Sequence, residues 1–244
     1  MTLSQPIHRL KRRARLLSRR EGIPLHAALD RVAREEGFPS WSMLAARSVA
    51  PSPGRANLSR LSNGDLLLLG GRPGQGKTLL SLDLAVQAVK AGRAAVFFTL
   101  ESNRAEVLRY VAAIGADPGA FAAKVRIDTS DDISADYIIR QLQSAARGTL
   151  VVVDYLQLLD QKRENPTLTE QVKALKAFAQ ERGLVFVFLS QIHRSFDGGP
   201  KDVPSLADVR LPNPLDLMLF TKACFVHANR VSFGVLGGGQ ADGG

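Results

Sequence analysis

Cysteine is nearly missing from this 244-residue chain. Cys224 stands alone, so no internal disulfide can form, and a reducing compartment is expected. Long apolar runs are missing too. None approaches the ~18 residues of a membrane span, and the basic start lacks the apolar stretch of a secretory signal. A cytoplasmic protein with no membrane partner is expected. Metal-ligand spacing is absent: His193, Cys224 and His227 fall into no recognised pattern and read as loop or core residues. Ser190 has no convincing triad partners, which leaves little for a serine hydrolase. Negative charge is in short supply, 23 acidic against 32 basic side chains, for a formal net charge of +9. That imbalance points to a polyanionic partner, with nucleic acid the leading class.

What is present is organised around Gly71-Arg72-Pro73-Gly74-Gln75-Gly76-Lys77-Thr78, which fits the phosphate-binding pattern G-x-x-x-x-G-K-[ST]. Average residue usage gives a chance match in a chain this long odds on the order of 1%. The flanks lower them further. The apolar run 65–69 before the motif suits a buried strand, and 79–90 after it reads as a helix closed by Gly92. Glycines let successive backbone N–H groups curl around phosphate oxygens, and the helix adds its positive end. Lys77 is expected on the β- and γ-phosphates and the Thr78 hydroxyl on Mg²⁺, making ATP and Mg²⁺ the expected cofactors.

Before this core lie about fifty residues of another character. Ile7, Leu10, Ala14 and Leu17 share one helical face, while Arg9, Lys11, Arg12, Arg13, Arg15, Arg19 and Arg20 crowd the rest. Gly22 ends that helix and Pro24 opens a second, with Leu25, Ala28, Leu29 and Val32 inward until Gly37. Ser40 is expected to cap a third short helix carrying Trp41 and Leu44. The basic face is either a solvated surface, a phosphate-backbone patch or a protein dock, and no interleaved aromatics suggest base stacking. The expected division is a helical module over 1–47, a Pro/Ser/Gly-rich linker over 48–56, a nucleotide-binding domain over 57–235, and a disordered Gly-rich tail over 236–244.

Within the main domain, apolar runs at 94–98, 125–127, 150–153 and 184–189 alternate with helical patterns at 133–146 and 168–182. This is the signature of an α/β fold, a mainly parallel sheet flanked by helices. Ligands in such sheets sit at the carboxyl ends of the strands. Three strand ends carry suitable groups. Asp154 closes 151–153 as a magnesium-holding aspartate would. Glu101 follows 97–100, where a carboxylate either polarises the attacking water or caps the next helix. Gln191 ends the fourth run, an amide able to bond a γ-phosphate or simply to face a loop.

Taken together, these stretches resemble the ATPase domain of replicative hexameric helicases of the DnaB type, within the RecA-like P-loop fold. The points of likeness are Gly64-Asp65-Leu66 leading into the phosphate loop, Phe98-Thr99-Leu100-Glu101, Val153-Asp154-Tyr155-Leu156-Gln157-Leu158, and Leu189-Ser190-Gln191-Ile192-His193-Arg194. The resemblance covers roughly residues 57 to 235. It implies Glu101 as catalytic base and Gln191 as γ-phosphate sensor. It also implies a homo-oligomeric, ring-forming ATPase with single-stranded DNA as partner, and an arginine finger supplied in trans. Arg230 stands where that finger is expected, but Ala228 replaces the accompanying lysine. The resemblance does not extend to the large primase-interacting domain. The segment 205–216 follows the family loosely, and its prolines make it a rigid loop. Two functions are therefore expected: ATP hydrolysis coupled to DNA binding or translocation, or an ATP-dependent oligomerisation or docking switch without nucleic acid.

Overall fold

The computed structural model describes residues 4–5, 7–48, 52–160, 164–198, 203–211, 213–228 and 230–236. They form two compact units, Met1–Ser52 and Pro53–Gly244.

The first unit is three helices, α1 (Ile7–Glu21), α2 (Leu25–Glu35) and α3 (Trp41–Ser48). Leu10 and Ala14 of α1, Ala28, Val32 and Ala33 of α2, Phe38, and Leu44 of α3 form its buried core, with Leu17, Leu29 and Trp41 packed against them. The helical spacing of the apolar residues creates this core, since side chains three and four apart share a face. Leu25, expected inward, is 41% exposed. The start of α3 is held chiefly from outside: Asp30 of α2 accepts the Trp41 N–H at 2.8 Å, whereas the Ser40 hydroxyl accepts from Met43 at a long 3.4 Å. Arg13–Glu35 at 2.5 Å and Arg31–Glu21 at 2.6 Å lace α1 to α2.

The linker expected over 48–56 is helical at both ends. Helix α3 runs to Ser48, and α4 (Pro53–Leu58) already belongs to the second unit. Proline is tolerated in a first turn because its missing N–H would be unpaired there anyway. The Gly54 N–H is satisfied by the Asp83 carboxylate at 2.8 Å. Residues 49–51 lie outside the described set, as does the expected tail apart from Leu236, whose N–H donates to the Thr221 carbonyl at 2.7 Å.

The second unit alternates strands and helices: β1 (Leu66–Gly71), α5 (Lys77–Lys90), β2 (Ala95–Thr99), α6 (Arg104–Ala113), α7 (Pro118–Ala122), β3 (Val125–Asp128), α8 (Ala135–Gln141), β4 (Leu150–Asp154), α9 (Leu168–Arg182), β5 (Val185–Gln191), β6 (Lys222–His227) and β7 (Arg230–Val235). The sheet order is β3-β2-β4-β5-β1-β6-β7, parallel except for the antiparallel β6–β7 hairpin. The central strands are apolar throughout because both faces are covered. Leu66 and Leu68 face a cluster with Ile138 of α8 and Leu175 of α9, while Leu67 and Leu69 face one with Leu82 of α5. Each fully buried Leu or Phe contributes roughly 2–3 kcal/mol.

Several expectations are adjusted. The helix expected over 133–146 is regular only over Ala135–Gln141, started by Ser134 accepting the Tyr137 N–H. Helix α6 begins in a capping box between Asn103 and Glu106. The 205–216 segment is loop with one 3-10 turn, and it clasps the end of β5. His193 N–H donates to the Asp208 carbonyl and Arg210 N–H to the Gln191 carbonyl, both at 2.8 Å.

Candidate functional site

Strand register gathers the candidate groups. Gly71 lies beside Gln191 across β1–β5, and Thr99 beside Asp154 across β2–β4. All four are at carboxyl ends, where the phosphate loop leaves β1. Gly71 is there because nothing larger fits: a Cβ would meet the Val226 carbonyl oxygen at 2.8 Å and the Lys77 side chain at 3.1 Å. Gly74 and Gly76 have φ of +76° and +92°, left-handed conformations that side chains disfavour. Gly76 is the residue before the first turn of α5, so the loop delivers free N–H groups at a helix amino terminus.

A cavity of about 340 Å³ opens beside this loop, lined by Gly74, Gly76, Lys77, Thr78, Leu79, Glu101, Ser102 and Tyr110. Lys77 and Thr78, the first residues of α5, thus share one space with Glu101, two residues beyond β2. The Lys77 ammonium donates to the Arg72 carbonyl at 3.1 Å. Burial lowers the Lys77 pKa, against the pull of Asp154 and Glu101 in the other direction. Asp154 is 2% exposed and accepts the Thr78 hydroxyl at 3.3 Å. Burial pushes its carboxyl up to about 7, with the Glu101 charge adding to the rise and Thr78 and Lys77 opposing it. Glu101 itself is exposed, its N–H held by the Thr99 hydroxyl at 3.2 Å.

A magnesium ion suits this pair. It prefers hard oxygen ligands and keeps waters or phosphate oxygens in the rest of its shell. One hydroxyl and one carboxylate already within contact provide that partial shell. Among the described residues, no group of three or more His, Cys, Asp or Glu side chains forms a complete protein cage. A dication would also reverse the local electrostatics that hold Asp154 toward its neutral form.

Other candidates lie around the cavity. Gln191 is half-buried at the end of β5, its carbonyl fixed by Arg210. The Arg72 guanidinium donates to the Ile192 carbonyl at 3.3 Å, tying the phosphate loop to β5, an arrangement that local spacing did not reveal. Pro73 is exposed in the turn of the loop. Gln75 uses its side-chain oxygen to accept the Ala228 N–H at 2.8 Å, so the β6–β7 turn is held against the loop of the same chain. Ala228 has φ of +46° there. Arg230 opens β7, exposed and paired in register with His227, and is not among the cavity-lining residues. Tyr110, 40% exposed on α6, is a cavity wall that sequence reasoning missed. Its signal was the Asn103-x-x-Glu106 capping box, which places a helix directly after Glu101.

A family model described as "ATPase: KaiC" matches residues 56–202. Among curated proteins, the replicative DNA helicase DnaB of Synechocystis sp. is 29% identical over 181 residues, covering 62% of this chain and 21% of the relative. The replicative DNA helicase DnaB of Geobacillus stearothermophilus is 28% identical over 193 residues, covering 64% and 42%. The chain therefore spans about a fifth to two fifths of the length of these relatives. Among solved structures, a free-standing ATPase domain aligns with a TM-score of 0.56 at 19% identity, over 75% of this chain and 80% of that one. A DnaB-like replicative helicase, described with its interactions with primase, aligns at 0.57 and 16% identity, over 94% and 72%. At these identities the structural likeness is one of fold. It agrees with the mainly parallel, helix-flanked, RecA-like sheet expected from the strand pattern.

Proposed function

The chain belongs to the KaiC ATPase family, and from that premise we propose that it hydrolyses ATP with Mg²⁺ and couples hydrolysis to nucleic-acid binding. The observation that carries this reading is the convergence of Lys77, Thr78 and Glu101 on one cavity, with Asp154 bonded to Thr78 behind it. The loop N–H groups and Lys77 hold the β- and γ-phosphates, Lys77 exchanging the Arg72 carbonyl for phosphate oxygens. Thr78 and Asp154 hold Mg²⁺, which when bound neutralises charge building on the phosphate oxygens. Glu101 orients a water and accepts its proton as the water oxygen bonds the γ-phosphorus and the bond to the bridging oxygen breaks. The products are ADP and inorganic phosphate. Gln191, uncharged, orients the γ-phosphate or the water without adding repulsion. The relatives' names and the net charge of +9 support single-stranded DNA as the partner. In a homo-oligomeric ring, Arg230 would act from a neighbouring subunit.

The test is phosphate release by the purified chain with Mg²⁺-ATP, with and without single-stranded DNA, alongside Glu101→Gln. Hydrolysis is expected to fall by about 10²–10⁴ in the variant, the range for loss of a general base, while DNA raises the wild-type rate. An unchanged rate in Glu101→Gln would remove that residue from the mechanism. Indifference to DNA at low salt would leave the ATPase standing and end the coupling, in favour of an ATP-dependent oligomerisation or docking switch.

A further inference from the structure

Helix α1 carries seven cations, Arg9, Lys11, Arg12, Arg13, Arg15, Arg19 and Arg20, and one acid, Glu21. Its inward stripe, Leu10 and Ala14 with Leu17 beside them, is spent on the core of the three-helix unit. At 100° per residue, Arg9, Lys11, Arg12, Arg15 and Arg19 fall on the remaining surface, and all five are exposed. The acids nearby are already engaged elsewhere. Glu35 pairs with Arg13, and Glu21 with Arg31 and Arg20. The outer five have no ion pair among the described residues.

Three physical points separate this face from an ordinary solvated one. Lys11–Arg15, Arg12–Arg15 and Arg15–Arg19 are like charges three or four residues apart, each costing the isolated helix a few tenths of a kcal/mol. A bound polyanion relieves that repulsion. Six of the seven cations are arginine, whose planar fork matches two phosphate oxygens at once, whereas lysine offers a point charge. The row is also the right length: residues 9 to 19 rise about 15 Å at 1.5 Å per residue, roughly one cation per helical turn and more. Duplex DNA carries one charge per roughly 1.7 Å of axis, so several phosphates lie within reach.

We propose that the outer face of α1 docks a nucleic-acid phosphate backbone through Arg9, Lys11, Arg12, Arg15 and Arg19, independent of base sequence. The proposal rests on the reading of nucleic acid as this protein's partner and assigns that contact to the first unit. A lipid surface is disfavoured because the apolar stripe an interfacial helix would insert is buried in the unit's own core. Of the outward apolar residues, Leu16 at 58% exposure is the large one, and no aromatic stands on α1 to stack on bases.

The experiment is fluorescence anisotropy of a labelled thymidine oligonucleotide with the full chain, nucleotide-free, from about 50 to 200 mM salt. Five phosphate contacts predict a log–log salt slope of about −3.5 for a single strand and about −4.5 for a duplex. The triple variant Arg12→Gln, Arg15→Gln, Arg19→Gln should bind at least about tenfold more weakly at low salt, with a slope shallower by about 2. Glutamine matches arginine in helix propensity, so far-UV circular dichroism should be unchanged. The charge-equal triple Arg→Lys variant should keep the slope. Oligonucleotide binding with wild-type affinity and slope in the Gln variant would overturn the α1 assignment and leave the nucleic-acid reading intact. No binding by the wild type, with Mg²⁺-ATP hydrolysis still present, would overturn both. Binding to vesicles rich in anionic lipid but not to oligonucleotide, lost in the Gln variant, would overturn the proposal in favour of a membrane surface.

Discussion

Each end of β1 has a buried aspartate and a lysine, and the two sets are built to different ends. Before the strand, Asp65 meets Lys222 at 2.5 Å and accepts the Thr221 hydroxyl at 2.8 Å and the Ser62 N–H at 2.6 Å. Lys222 in turn also donates to the Arg60 carbonyl. After the strand, Lys77 turns to a carbonyl of its own loop at 3.1 Å, and Asp154 has the Thr78 hydroxyl at a long 3.3 Å. The first set is closed, with each charge answered by a partner of this chain. The second keeps its donors and acceptors available, at the cost of a carboxyl driven up to about 7 and a lysine driven down. Charge left under-partnered in a fold this well packed marks where a ligand of matching chemistry completes the structure.

The sharpest way to break the comparison is at Lys77. Lys77→Ala should lower hydrolysis by about 10²–10³, the loss typical of a donor on developing charge. Thermal stability of the ligand-free protein should not drop, because the lysine is buried without a carboxylate partner. A rate loss that tracks unfolding would contradict the account. Asp65→Ala should do the reverse. It strands Lys222 and costs about 3 kcal/mol by urea unfolding, while activity per folded molecule stays near wild type.

Asp154 sharpens the contrast through pH. Its carboxyl is raised in the folded state above its ordinary 3.8 to about 7, so the folded protein holds the proton more tightly than the unfolded chain. The stability this group contributes is whole below about pH 4 and is lost as pH rises through about 7. That loss is at most about 4 kcal/mol at ~1.36 kcal/mol per pKa unit. Asp154→Asn should flatten this slope in denaturation curves between pH 4 and 8, and saturating Mg²⁺-ATP should flatten it in the wild type. A smaller effect is expected at Gln75. Gln75→Ala removes the bond to the Ala228 N–H and should cost about 1 kcal/mol or less, read as a shift of a few degrees or less in Tm.

Much of this second unit was legible in the sequence. Continuous apolar runs such as 150–153 announce strands buried on both faces, and a glycine loop between such a run and a helix announces a phosphate site. Carboxyl-end residues Asp154, Glu101 and Gln191 follow from parallel topology. What escaped had physical reasons. Pro53 and Gly54 read as linker because composition cannot show that Asp83, twenty-nine residues on, receives the Gly54 N–H. Strand β7 escaped because its residues are mostly exposed, so no apolar alternation betrays it. Arg72 and Gln75 take partners at Ile192 and Ala228, more than a hundred residues away. Such long-range bonds leave no local pattern.

The most direct measurement is Mg²⁺-ATP binding by calorimetry to two folded single variants, Asp154→Asn and Asp65→Asn, at a temperature where both stay folded. Asp154→Asn should lose the magnesium-dependent part of the affinity, and Asp65→Asn should bind as the wild type does. Equal losses in both, or magnesium-dependent binding that survives without the Asp154 carboxylate, would contradict the assignment of the open end of β1 as the nucleotide site.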